Sequence, residues 1–574
     1  NGYETPGAWA PSIGVAWQAP RMDGILGKIF GSHEGASVLR AGYSMATVRE
    51  GQNLFISLWG ANQGITQTAS VSNATTPADF GAAGSVLFRQ ASLPTKSGLT
   101  TTPVYPIPAG FTTSLNDFTP NMKLGYVQSW NIGWQRELGK DSVVEFRYTG
   151  NHGVHLWRQY NLDEVNIFEN GFLKEFQTAQ NNLKIARGGD ITKNTSINNW
   201  GNTGLPGQAA TPMLQTAIGN TTDSTLAAQL LLGQAGGAAN GIATNSGRMT
   251  NLTAASSTAC GGKPCPVNLF VVNPTVASGG SFVETNDGTS YYDALQIEMR
   301  RRMSHGISMQ GSYVWSKSLA NGPTNSSSSV SQPTTLRNLA IDKVPSGFDL
   351  RHAFKVNYIY ELPIGRGKAL LGSSHGVVAK IFEGWQTSGV VRVQSGSPFF
   401  LNGLATFNQV TSNTGVVLHN ITASELQQSV NIRKTTGTDG KGIVYFLPQS
   451  LINNSLAAFN QGGFTPAQLD PNAPYIGPAA AGQLGWRGYL YQNWNRFFDV
   501  SMLKRTTIHE KMNLEFRATA LNVFNLTNFG TGASGTNYNN IGASFGQVSG
   551  AYRDISGTVE PGGRILEFML RFNF

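Results

Sequence analysis

The last eleven residues, 564–574, alternate strictly, with Leu566, Phe568, Leu570, Phe572 and Phe574 on one face and Glu567, Arg571 and Asn573 on the other. Strand side chains point to opposite faces with period two. An apolar, aromatic row backed by charges and amides therefore fits a strand with lipid on one side and a wet lumen on the other. The same alternation recurs upstream in paired segments: 12–17 with 38–45, 126–136 with 143–149, 294–301 with 308–316, 353–360 with 385–394, and 497–504 with 512–519. In 126–136, Trp130, Ile132 and Trp134 oppose Ser129, Asn131 and Gln135; in 512–519, Leu514, Phe516 and Ala518 oppose Asn513, Glu515 and Arg517. The chain thus carries about eleven strand candidates with turn signals between them.

Connection lengths turn these strands into an architecture. Within pairs they are mostly short, as in 137–141, 303–306 and 507–510, whereas between pairs they run near 48–122, 159–290, 319–350, 396–495 and 526–563 and are rich in Asn, Gly, Ser and Thr. Loops beyond about 15 residues are uncommon in compact domains, and their restriction to alternate positions has no reason in a sandwich. A membrane barrel supplies one, with short turns on one side and long loops on the other. The expected fold is all-β, an antiparallel transmembrane β-barrel wall with long extracellular loops. Aromatics in those loops, such as Trp486, Tyr489, Tyr491 and Trp494, are expected to pack loop against loop.

Composition agrees. Charged residues are 13% of the 574-residue chain, aromatics 10%, and Gly numbers 68, against about 25% charged residues in an ordinary soluble domain. No apolar run approaches the roughly 18 residues of a helical span, a test to which barrel strands are invisible. The chain opens at Asn1 with no recognisable signal peptide, which is expected of a cleaved precursor or a chain that starts mid-protein. The net charge of +9 is scattered, with small clusters at turns such as Arg300-Arg301-Arg302. No basic face is interleaved with stacking aromatics, so no nucleic-acid partner is expected.

Candidate chemistry is sparse. Cys260 and Cys265 bracket Gly261-Gly262-Lys263-Pro264, a turn that brings them within disulfide reach in an oxidising compartment. A zinc site needs two more ligands, so no metal is expected. His152 and His155 point to opposite faces of an extended chain. Gly365-Arg366-Gly367-Lys368 lacks the spacing of a phosphate loop. Without a nucleophile elbow or a carboxylate dyad, neither enzyme activity nor a cofactor is expected. The polar faces place Glu145, Arg147, Glu298, Arg300, Arg392, Glu515, Arg517, Glu567 and Arg571 toward the lumen, as a cross-strand ladder or as contacts to a plug or substrate. Outward Trp and Tyr fit interfacial girdles.

Specific phrases also resemble a known family. Tyr291-Tyr292-Asp293-Ala294-Leu295-Gln296-Ile297, Tyr313-Val314-Trp315-Ser316-Lys317-Ser318, Phe348-Asp349-Leu350-Arg351-His352, Tyr360-Glu361-Leu362-Pro363-Ile364-Gly365 and Leu521-Asn522-Val523-Phe524-Asn525 resemble the barrel of Oar-like TonB-dependent receptors, abundant in Acidobacteria. Leu566, Phe568, Leu570, Phe572 and the terminal Phe574 resemble the C-terminal signal read by the barrel-assembly machinery. The resemblance implies a barrel of about 22 strands with a plug, energised by a TonB complex. No plug or TonB-contacting segment is recognised in residues 1–574, so the chain reads as a partial barrel, about half of the whole. The implied function is TonB-dependent import of a bulky extracellular ligand, such as a peptide or oligosaccharide. The alternative is a non-transporting outer-membrane anchor or adhesin whose loops dock a surface lipoprotein or polymer.

Overall fold

The computed structural model describes residues 9–31, 33–48, 52–65, 110–120, 122–322, 330–410, 414–436, 440, 442–509, 512–529, 541–548 and 563–574. Most of the loops expected near 48–122 and 526–563, part of that at 319–350, and the turn at 510–511 lie outside these residues.

One sheet dominates. Its path runs through eleven strands in chain order: β1 (Ser12–Gln18), β2 (Ser37–Thr47), β3 (Tyr126–Leu138), β4 (Ser142–Asn161), β5 (Ser281–Ser304), β6 (Ile307–Ala320), β7 (His352–Glu361), β8 (Trp385–Gln394), β9 (Asn495–His509), β10 (Met512–Leu521) and β11 (Ile565–Asn573). Every neighbour along this path is antiparallel. Short segments Leu115–Phe118 and Val344–Pro345 add themselves beside β5 and β6. Local chemistry explains the tight turns: His305 and Gly306 join β5 to β6 with φ of 53° and 79°, the two positive values a twisted two-residue hairpin demands.

Register aligns the apolar positions into rows. Trp17, Leu39, Trp134, Phe146, Ile297, Tyr313, Phe354 and Val393 sit opposite one another in succession from β1 to β8. A one-residue slip anywhere would put half of this row on the polar side. The outward face is exposed, with Ile13, Ile132, Trp315 and Phe568 at 73%, 57%, 55% and 69%. Among the described residues no helix is long and apolar enough to cross a membrane.

Apolar burial lies elsewhere, in two caps at the long-connection end. The connection from β4 to β5 folds as helices, among them Phe172–Ala186, Ser224–Leu231 and Ala235–Ala243, around Phe172, Phe176, Leu183, Trp200, Leu214 and Phe270. Asp223 caps the second of these helices by accepting from the Leu226 amide at 2.7 Å, one of the otherwise unpaired first-turn donors. The connection from β8 to β9 forms a second core of Phe399, Leu426, Phe446, Ile452, Phe459 and Ile476 around the helix Gln449–Ala458, and Phe545 from the connection between β10 and β11 completes it. The caps touch: Phe168 of the first meets Phe407 of the second at 4.9 Å, and Ala481 is buried in the first core.

Candidate ligand-binding rim

Where β4, β6, β7 and β9 leave the sheet, buried charges bind the connections together. Arg158 on β4 is fully buried and donates from Nη2 to Asp342 Oδ2 at 2.8 Å. Arg487, from the β8–β9 connection, reaches Asp342 Oδ1 at 3.4 Å, and the Thr334 amide donates to the same carboxylate at 3.1 Å. A carboxylate out of water needs such saturation, because a lone buried charge is very costly. Glu164 does likewise, accepting from Thr335 Oγ1 at 2.6 Å, the Leu336 amide at 2.5 Å and Asn408 Nδ2 at 2.7 Å. Asp349 accepts from the Ser318 amide at 2.6 Å and from the Tyr491 hydroxyl at 2.8 Å, with Arg351 3.1 Å away. Burial pushes the Tyr491 phenol up to about 12, so it remains a donor to Asp349.

Beside this junction lies a cavity of about 420 Å³. Its wall includes Gln427, Asn431, Tyr491, Gln492, Asn493, Trp494, Arg496, Asn528 and Phe529. Most of the amides are occupied. Gln427 exchanges two hydrogen bonds with the Tyr491 backbone at 2.6 and 3.1 Å, and Asn528 exchanges two with that of Arg496 at 2.8 and 3.0 Å. Two buried amide oxygens, Gln492 Oε1 and Asn493 Oδ1, have no partner. An unsatisfied buried acceptor costs about 1–3 kcal/mol. Trp494 is 44% exposed and adds an aromatic ring to the same wall.

The lumen-side residues expected from sequence distribute as follows. Glu145 and Glu298 stand directly opposite each other on β4 and β5, and each takes an arginine two residues along its own strand. Arg147 pairs with Glu145, and Arg300 Nε donates to Glu298 at 2.6 Å. The expected cross-strand ladder of these four is thus replaced by pairs along each strand, because like charges face each other across it. A cross-strand ion pair does form between Glu515 and Arg505, at 2.6 Å. Arg392 lies 4.9 Å over the Phe497 ring. Among the described residues no ion pair joins Arg517, Glu567 or Arg571 to a partner. Glu145, Glu298 and Arg300 do meet, lining a cavity of about 290 Å³ at the end of the sheet opposite the caps. Arg392, Glu515, Arg517, Glu567 and Arg571 sit on β8, β10 and β11, away from it.

Leu566, Phe568, Leu570 and Phe572 form the outward row of β11, opposite Ala520, Ala518, Phe516 and Leu514. Phe574 follows, its ring 6.1 Å from that of Phe572. Cys260 and Cys265 are joined by a disulfide, with Cα atoms 5.1 Å apart, beside the first cap's core. His152 stacks on Tyr291 at 4.3 Å, and Lys368 lies 3.7 Å from Glu361. Among the described residues no cluster of three His, Cys, Asp or Glu is placed to hold a metal. Sequence reasoning missed Arg158, Asp342, Arg487, Gln492 and Asn493. The run 491–494, which sets Gln492 and Asn493 between Tyr491 and Trp494, was the signal closest to the cavity.

Comparison with solved structures gives distant likenesses. The outer membrane transporter YddB from Escherichia coli has a TM-score of 0.33 and 9% identity over 93% of this chain and 38% of its own. The ferric enterobactin receptor PfeA from Pseudomonas aeruginosa, solved as a mutant, gives 0.32 and 8% over 98% of this chain and 40% of its own. The FrpB iron transporter from Neisseria meningitidis gives 0.30 and 7% over 98% and 38%. The chain therefore spans about two fifths of the length of these proteins. No curated protein matches it. A family model described as an outer membrane beta barrel domain matches residues 2–564. With that match over almost its whole length, the chain belongs to the outer membrane beta-barrel domain family.

Proposed function

We propose that this chain supplies part of the wall, and the cap, of a TonB-dependent outer-membrane receptor that takes up a bulky extracellular ligand. The observation that carries the reading is the capped rim, two cored connections locked to the wall around a cavity lined by amides and aromatic rings. On this reading the short turns are periplasmic and the caps extracellular. Eleven antiparallel strands put β1 and β11 in the same direction, so joining them directly would make a parallel seam, whereas bacterial barrels close with even, antiparallel strand numbers. Open sheet edges do not persist in lipid. Both considerations favour further strands between β1 and β11, in a barrel of about 22 strands, with plug and TonB contacts supplied outside these residues. The Oar-like kinship belongs to the same proposal.

The rival reading, a non-transporting anchor that docks a surface lipoprotein or polymer, draws on the buried junction around Asp342, which fixes the caps as a rigid platform. Cells carrying the intact receptor decide between them when offered labelled oligosaccharides and oligopeptides. Accumulation that disappears on removing TonB, and on filling the cavity with Asn493→Trp, is the expected result. Surface binding without accumulation, unchanged by TonB, would overturn import in favour of anchoring.

A further inference from the structure

Two turns at the end of the wall opposite the caps carry nearly the same seven-residue phrase. Gly24-Ile25-Leu26-Gly27-Lys28-Ile29-Phe30 joins β1 to β2, and Gly376-Val377-Val378-Ala379-Lys380-Ile381-Phe382 lies between β7 and β8. Both are short helices, and each begins at a glycine in the left-handed region, with φ of 65° and 62°. In each the small fourth residue is buried. The second, third and sixth residues are exposed, Ile25, Leu26 and Ile29 at 77%, 54% and 45%, and Val377, Val378 and Ile381 at 75%, 51% and 53%. Clustered apolar residues of this kind mark a surface that something covers.

Their seats say what covers them. The Phe30 ring contacts Trp17 and Trp134 at 6.3 and 6.2 Å, and Trp385 Nε1 donates to the Ile381 carbonyl at 2.9 Å. These tryptophans belong to the outward rows of β1, β3 and β8, Trp385 sharing the face of Val393, so the helix faces continue the surface that meets lipid. Neither seven-residue phrase contains an acid, and each has a lysine in its last turn, Lys28 and Lys380. A helix of this length rises only about 10 Å, far short of the roughly 30 Å hydrocarbon core. Tryptophan-backed, lysine-bearing and apolar on one side, it suits the plane of an interface.

We propose that both helices lie in the headgroup layer of the leaflet at the turn end of the wall, with their apolar faces against phospholipid acyl chains. They then hold the rim of the wall at a fixed depth at two places, β1–β2 and β7–β8. The inference rests on the membrane reading of the wall, and the test separates the two. A single cysteine carrying an environment-sensitive fluorophore is placed at Ile25, at Val377 or, as a control, at Leu570 of β11, with the native disulfide kept. The intact receptor is then inserted into vesicles of phosphatidylethanolamine and phosphatidylglycerol. Labels at Ile25 and Val377 are expected to be quenched more strongly by a lipid spin label near the headgroup than by one deep in the chains, and to be shielded from aqueous iodide. Quenching by iodide at both helices, with Leu570 still quenched by lipid-borne labels, would overturn the interfacial helices alone. A Leu570 label untouched by any lipid-borne quencher would overturn the membrane reading and the helices with it.

Discussion

The wall and the caps are drawn from the same chain yet use apolar residues in opposite ways. On the wall, Ile13, Ile132 and Phe568 stand exposed in rows on one face, with the polar residues on the other; in the caps, Phe172, Phe176, Leu183 and Phe446 are wholly enclosed. Hydrophobic burial therefore stabilises the caps within the protein itself, whereas the wall is held by ladder hydrogen bonds and register until lipid covers its outward face. The lesson is that apolar exposure has meaning only relative to the solvent an element faces.

That contrast can be broken from either side. The largest effect is expected from Phe176→Ala, which opens a void in the first cap and should cost about 3–5 kcal/mol there. Limited proteolysis should then release fragments of the cap while the wall stays protected, and equal loss of wall protection would show that the two regions do not fold separately. Next, Phe516→Arg, on the outward row near the middle of β10, should cost about 2–4 kcal/mol if that point lies near the bilayer midplane, while Thr519→Arg on the inward face is tolerated. Unfolding in vesicles compares them, and equal tolerance would sink the assigned facing.

A third effect is confined to the cap. Burial raises Glu175 to about 7 although its carboxylate accepts from the Leu214 amide at 2.7 Å. An acid whose folded pKa is raised favours the fold when protonated. The contribution of Glu175 to cap stability should thus be fully present below about pH 4.5 and be lost as pH rises through 7, a fall on the order of 3 kcal/mol. Glu175→Gln should flatten this dependence, as read by tryptophan fluorescence of the cap during denaturation. The smallest change is expected at Arg300, whose pair with Glu298 is 64% exposed on the arginine side. Replacing it with Ala should cost less than about 1 kcal/mol, and a larger loss in the same vesicle assay would mean that the inner polar row carries more of the wall's stability than its exposure suggests.

Legibility followed the same division. All eleven strands could be read because period-two alternation is local, but their lengths could not. β4 runs to Asn161 and β5 begins at Ser281, well past the alternating stretches at 143–149 and 294–301. These strands continue upward because they pair with each other beneath the cap, a contact invisible in either segment alone. The cap helices were hidden for a related reason. Their apolar faces find cover from distant residues, as when Ala481 closes a core built from residues 165–271.

At the rim, the single cavity-lining amides look like any polar loop in sequence. Gln492 and Asn493 became distinctive only once their neighbours, Gln427, Asn431 and Asn528, had found partners and their own amide oxygens had not. The glutamates of β4 and β5 teach the same point, since nothing local says that Glu145 will face Glu298 and leave each to the arginine two residues on. By itself, then, the sequence determined the strands, which residues share a face of each and the alternation of short and long connections, because a strand's two-sided pattern is set residue by residue. Tertiary structure alone decided the caps, the buried junction at Asp342 and the rim cavity, because hydrogen-bond satisfaction and core packing depend on which distant groups arrive beside each other.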